Sequence, residues 1–267
     1  MPSIESLTWK RTASLAWALC AAFVFAVRTP AEERKVLVTF AAFGDVPYSA
    51  AEEVVLRKQI ETLPIDAEFV LHVGDIKTST TPCEDGLYSR IAEMMARSKR
   101  QIFIVVGDNE WNDCPDPNAA WELWKKHYLH YDKRWKSQFS VVRQEKRTEN
   151  FAFVRKGVLF LGLNIVGGRV NSRVEWNRAL LEALEFTRGQ VKLHHASLRR
   201  VVIQAHANPN ANHRLYFDGL SELAEEVDVP YLYLHGDGHR WIQNRPFPAQ
   251  NILRVQVDQG GIAEPLL

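Results

Sequence analysis

Three times in succession, an apolar run of strand length ends at a glycine followed by an aspartate. Lys35 to Phe43 leads into Gly44-Asp45, Glu68 to Val73 into Gly74-Asp75, and Gln101 to Val106 into Gly107-Asp108. Helical spacing fills the intervals: Val54, Val55, Ile60 and Leu63 mark a helix over Ala51 to Leu63, and a second is expected over Gly86 to Arg100. Strand–helix–strand units make successive strands parallel, so all three end on one edge of a sheet. That edge is where open α/β sheets bind ligands. A single Gly-Asp after a strand is ordinary turn chemistry. Three in consecutive units place Asp45, Asp75 and Asp108 on one rim.

The alternation continues. Strands are expected at Phe151 to Val154, Val158 to Leu163, Arg200 to Ala205, Pro230 to Leu234 and Ile252 to Val257, with helices at Asn118 to Tyr131, Arg173 to Phe186 and Tyr216 to Glu226. Trp121, Trp124, Tyr128 and Tyr131 read as an aromatic core face. Two later strands also end in ligand-type residues: His206 in QAHANP, then His235, Asp237 and His239 in LHGDGHRW. Carboxylates can bridge two ions, and imidazoles favour Zn, Fe or Mn over Ca or Mg. Two such ions about 3.5–4 Å apart can activate a water and clamp the oxygens of an in-line displacement. Taken singly, each aspartate also reads as a turn or cap residue, and each histidine as a packed one. His235 stands open between ligation, phosphate contact and orientation of a neighbour. His72, inside its strand, reads as a core histidine. Tyr48, Lys77 and Trp111 fall near the pocket with no chemistry assigned.

In order and type, these motifs resemble those of the calcineurin-like metallophosphoesterase superfamily, which includes the purple acid phosphatases. The resemblance runs from about Lys35 to Val257. FGDVPY matches the first motif and makes Asp45 a ligand to the first metal. HVGDIK matches the second and makes Asp75 the bridging carboxylate. GDNE stands where the family has Gly-Asn-His-Asp/Glu, so Asp108 takes the asparagine ligand's place and Asn109 that of the histidine that contacts substrate phosphate, while Glu110 keeps the acid. VVIQAH points to His206 on the second metal. GDGH stands for Gly-His-x-His, with Asp237 replacing the first histidine and His239 keeping the second. The chain departs from the family at Pro47, where many members have a histidine, and at Thr78, where purple acid phosphatases have a tyrosine ligand. Anionic Asp108 and Asp237 for neutral ligands make the second site harder.

The resemblance implies an α/β fold, a two-sheet sandwich flanked by helices. It implies a metal-dependent phosphoesterase with two divalent ions (Mn, Fe or Zn) held by Asp45, Asp75, Asp108, His206, Asp237 and His239, acting on a phosphate ester. Asn109, Glu110 and His235 are the catalytic candidates, with Asn109 and Glu110 open between substrate contact and support of the metal ligands. With Asn109 in place of histidine, the leaving group departs unassisted or takes a proton from His235 or through water. A metal-retaining binding module with little turnover is the alternative, and a pyrophosphatase or sulfatase-like activity a third reading.

Residues 1–30 differ from the rest. Lys10 and Arg11 precede an uncharged run, Thr12 to Val27, with Arg28, Thr29 and Pro30 after it. A basic start and a short apolar stretch read as a signal peptide, with an uncleaved membrane anchor as the rival; a spanning helix needs about 20 apolar residues. Residues 31–267 then form one domain outside the cytosol. Export leaves Cys83 and Cys114, which an oxidising compartment pairs. Each follows an acidic motif on adjacent strands, so a disulfide beside the site is expected. Among the 267 residues, 33 basic and 32 acidic side chains leave a net charge of +1, which gives no electrostatic reason to expect nucleic acid.

Overall fold

The computed structural model describes residues 36–261. The expected leader, residues 1–30, lies outside them. Three short parallel strands, β1 (Ala41–Phe43), β2 (Val70–His72) and β3 (Ile102–Ile104), form a sheet in that order. Between them run α1 (Ala50–Glu61) and α2 (Asp85–Met95), and α3 (Pro117–Tyr128) follows. Ser49 starts α1 by accepting the Glu52 N–H, and Asp116 starts α3 by accepting those of Asn118 and Ala119, with Pro117 in the first turn.

The second half builds a larger sheet. Its strands are β4 (Val142–Arg143), β5 (Phe151–Arg155), β6 (Val158–Gly162), β7 (Arg200–Gln204), β8 (Tyr231–His235), β9 (Ile242–Asn244) and β10 (Ile252–Gln256), ordered β4-β5-β6-β7-β8-β10-β9. The β6-β7-β8-β10 centre is parallel and both flanks antiparallel. Helices α4 (Arg173–His194) and α5 (Arg214–Glu226) complete the five.

Alternation along the strands decides which layer each residue enters. Ala41, Phe43, Val70, Ile102 and Ile104 pack outward against Ile60, Ile91, Met95 and Trp124 of α1, α2 and α3. Ala42, Leu71 and Phe103 face the other way, onto Phe151, Phe153, Phe160 and Val202 of the larger sheet. The outer face of that sheet, through Leu159, Leu161, Val201 and Ile203, receives Leu180 and Leu184 of α4 and Leu220 of α5. The layers are therefore helices, sheet, sheet, helices. Between the sheets the rings of Phe103 and Phe153 stack at 4.3 Å, and Phe69 meets Phe160 edge-on at 5.0 Å. Gln204 crosses the same seam: its Nε2 donates to the carbonyls of His72 at 2.7 Å and Phe103 at 3.0 Å.

The expected elements are present with altered limits. The strands before the acidic motifs are shorter, because the ladders hold only three residues each. Helix α4 runs on to His194, through Gly189, since buried Thr187, Gln190 and Val191 continue its packed face. β4 and β9 were not anticipated; both are edge strands with no buried residue, so neither shows an alternating pattern.

Cys83 and Cys114 form the expected disulfide, with Cα atoms 6.2 Å apart. It ties the loop after β2 to the loop after β3. Among the described residues, no helix is long and apolar enough to cross a membrane.

Candidate metal centre

Asp45, Asp75 and Asp108 leave the small sheet just beyond β1, β2 and β3; His206, Asp237 and His239 leave the large sheet beyond β7 and β8. Asp45, Asp75, Asp237 and His239 all have left-handed backbones, with φ of 53°, 59°, 68° and 55°. Non-glycine residues hold that conformation only where their surroundings impose it, and such residues gather at functional sites. Here the loops are laced together: Asp45 N donates to Gly74 O at 3.0 Å and Val46 N to Asp75 O at 2.9 Å. Two glycines permit the approach. A Cβ on Gly107 would lie 2.1 Å from Asp75 Oδ1, and one on Gly236 would lie 2.3 Å from Asp45 Oδ2.

The result is two clusters that share one residue. Asp45, Asp75 and His239 offer ligand atoms within 4.8 Å of one another, and so do Asp75, Asp108 and His206. Either trio could hold a metal ion. In the second, His206 Nε2 is 2.7 Å from Asp108 Oδ1 and 3.4 Å from Asp75 Oδ1. The 2.7 Å pair is not aligned as a hydrogen bond, so both buried atoms lack a hydrogen-bond partner. Neighbouring lone pairs that converge on a point without bonding each other suit co-ligands of a cation. The other nitrogen, His206 Nδ1, is 2.8 Å from the Val73 carbonyl. A donor bond there fixes the ring and turns the Nε2 lone pair inward, the usual arrangement of a ligating histidine. In the first cluster, His239 Nε2 lies 3.4 Å from Asp45 Oδ1, and Asp45 Oδ2 is buried without a partner.

The electrostatics ask for positive charge. Burial pushes the Asp75 carboxyl well above its ordinary range, and Glu110, Asp108 and Asp45 push the same way. Burial alone would neutralise His206, but Asp75, Asp108 and Asp45 outweigh it and hold its pKa well above the ordinary value. The interaction of its ring N–H with the accepting Asp45 carboxylate is the main cause that raises His239. Several buried carboxylates with only two imidazoles among them are stable together only with protons or cations between them.

An open cleft of about 270 Å³ sits over the clusters, lined by Tyr48, Asp75, Thr78, Asp108, Asn109, Asp237 and His239. A second cavity of about 180 Å³, lined by Trp111, Asn112, Arg169 and Trp176, flanks the loop that carries Asp108.

Glu110, His235 and Asn109, left open between substrate contact and support of the ligands, have the following surroundings. Glu110 is wholly buried, and its carboxylate accepts backbone N–H bonds from Gly107 at 2.6 Å, Asp75 at 3.2 Å and Ile76 at 3.3 Å. It clamps two ligand loops and does not reach the cleft. His235 is also wholly buried. Its Nε2 accepts from Arg254 Nε at 2.9 Å, and its Nδ1 is 2.8 Å from Gly236 O. Burial, then the Arg254 charge, lowers its pKa to about 3, which favours the neutral ring over the imidazolium. These contacts seat the ring against Arg254 and the Gly236 carbonyl, next to the loop that carries Asp237. Asn109 does line the cleft, but its Nδ2 donates to Asp75 Oδ2 and its backbone N–H to Asp75 Oδ1 at 3.1 Å. It orients the shared carboxylate. Asp237 lines the cleft outside both trios, with Oδ2 accepting from Asn208 N at 3.0 Å.

Tyr48 had no role in the sequence. Its hydroxyl lies 2.9 Å from Asp75 Oδ2, 3.3 Å from Asp45 Oδ1 and 3.1 Å from His239 Nε2. Thr78 Oγ1, by contrast, is turned onto Thr81 Oγ1 at 2.8 Å. A tyrosine close behind a first-motif aspartate was the only available signal for Tyr48. No protein-family model matches the sequence, and no curated protein is significantly similar to it.

Proposed function

We propose that this chain is a metal-dependent phosphoesterase of the calcineurin-like metallophosphoesterase type, acting outside the cytosol on a phosphate ester. The observation that carries the reading is the pair of acid–imidazole clusters with Asp75 in common. Asp45, Asp75 and His239 would hold one divalent ion, and Asp75, Asp108 and His206 the other, with Asp237 in reach of the same cleft. Mn, Fe and Zn suit such mixed donors. When bound, two divalent ions lower the pKa of a water and polarise a phosphoryl oxygen.

The remaining work falls to the chain. Asn109 holds Asp75, Glu110 holds the loops that carry it, and the cleft admits the ester. With His235 neutral and enclosed and Asn109 engaged, neither supplies a proton to the leaving group. Good leaving groups such as aryl phosphates are therefore the preferred substrates. The same lack of a proton donor supports the second reading, a module that binds metal and phosphate with little turnover. The Cys83–Cys114 disulfide supports an oxidising compartment.

The test is reconstitution of metal-stripped protein with Mn, Fe or Zn, followed by elemental analysis and an aryl phosphate assay. Two ions per chain and metal-dependent hydrolysis are expected, both lost in Asp75→Asn. Two ions without hydrolysis would select the binding module. No metal uptake would reject both readings.

A further inference from the structure

We infer that the phenolic oxygen of Tyr48 is a fourth ligand to the ion held by Asp45, Asp75 and His239; this rests on the two-cluster reading above. Ligands about 2.0–2.1 Å from one ion stand about 2.8–3.4 Å from each other, the edge lengths of octahedral and tetrahedral coordination. The Tyr48 oxygen is 2.9, 3.1 and 3.3 Å from the three donor atoms of this cluster, and His239 Nε2 is 3.4 Å from Asp45 Oδ1. Four atoms from four residues thus have the spacing of one coordination shell.

A plain hydrogen-bonding role fits these contacts less well. A phenol has one proton, and its oxygen faces two carboxylate oxygens and an imidazole nitrogen. That proton serves one carboxylate and the His239 N–H can be given to the phenol oxygen, which leaves the second carboxylate oxygen without a proton of its own. A cation among the four satisfies all, as the O–H bond is exchanged for an oxygen–metal bond and the proton passes to buffer. The side chain is also held in place for the task. Tyr48 N donates to Glu52 Oε2 at 2.8 Å, and the ring packs edge-on against the His239 imidazole at 5.3 Å. Position 47 is proline, which cannot ligate, so Tyr48 completes a cluster that otherwise has three protein ligands.

The test has a readout apart from turnover. Protein loaded with Fe(III) should show the visible phenolate-to-iron charge-transfer band, since among the described residues Tyr48 is the one tyrosine lining the cleft. Tyr48→Phe should lose the band and bind one of the two ions at least about 10-fold more weakly, the lower end of the loss seen for outer-sphere changes. Asp108→Asn, which alters the other cluster, should keep the band. Wild-type protein alone decides the matter if Tyr48→Phe does not fold. Iron bound without the band, or a band that survives Tyr48→Phe, overturns the ligand role and leaves the two-cluster reading standing. No iron, manganese or zinc bound in wild type overturns both.

Discussion

His206 and His213 are both buried, yet the fold settles them into opposite states. Asp75, Asp108 and Asp45 surround His206 and favour its charged or cation-facing form. His213 has one bond, between Nε2 and the Val166 carbonyl at 2.8 Å, and its Nδ1 has no partner. Burial therefore lowers its pKa below the ordinary value. The sign follows directly: the unfolded chain takes up the proton first, so stability is complete above the unfolded pKa of about 6.5 and falls as pH drops below it. His213→Gln can keep the donor bond to Val166 without titrating. Denaturant midpoints at pH 8 and pH 5 should differ less in this variant than in wild type. An unchanged difference would show that His213 binds its proton equally in the folded and unfolded states. Single residues were unevenly legible in the sequence. Asp45, Asp75, Asp108, His206 and His239 sit at strand ends, where position announces exposure to the rim. Glu110 and His235 have the same advertisement but point inward, and side-chain direction is not written in a motif. Tyr48 meets His239 across 191 residues, a contact that local pattern cannot show.

At the scale of elements, the chemistry sits in loops that the strands only aim. The loop after β2 and the loop after β3 are fastened three ways: by the Glu110 carboxylate, by Asn109 on Asp75, and by the Cys83–Cys114 bond. The disulfide spans 31 residues, for which the chain-entropy model gives about 3–4 kcal/mol. Replacing both cysteines by serine should lower unfolding free energy by about that amount and weaken metal binding as the loops loosen. Equilibrium denaturation and metal titration measure the two effects. Unaltered stability would mean that the unfolded chain is not constrained by the bond. The pairing was legible because parallel order sets β2 beside β3. The edge strands β4 and β9 were not, because strands without a buried face carry no alternation.

For the molecule as a whole, the junction between the sheets decides stability. Phe69 is fully buried there, with Phe40, Phe103, Phe139, Phe153 and Phe160 around it. Truncation to Phe69→Ala should cost about 3–5 kcal/mol, seen as a lower denaturant midpoint with a single transition. Two separate transitions would mean that the sheets unfold independently. The apolar runs disclosed the helices and most of the strands, but not which strands would share a sheet; long-range pairing decides that, not periodicity.

Each candidate cluster draws donors from both sides of that junction. Asp45 and Asp75 come from the first sheet and His239 from the second; Asp75 and Asp108 face His206 in the same way. Neither half of the chain can therefore assemble a site by itself. An ion held by either trio would thus report completed folding: a chain that has built only its first sheet has the clusters' carboxylates but neither His206 nor His239 to close around it. A protein that matures where free metal is scarce would then capture it last, once residues from opposite ends of the chain have met.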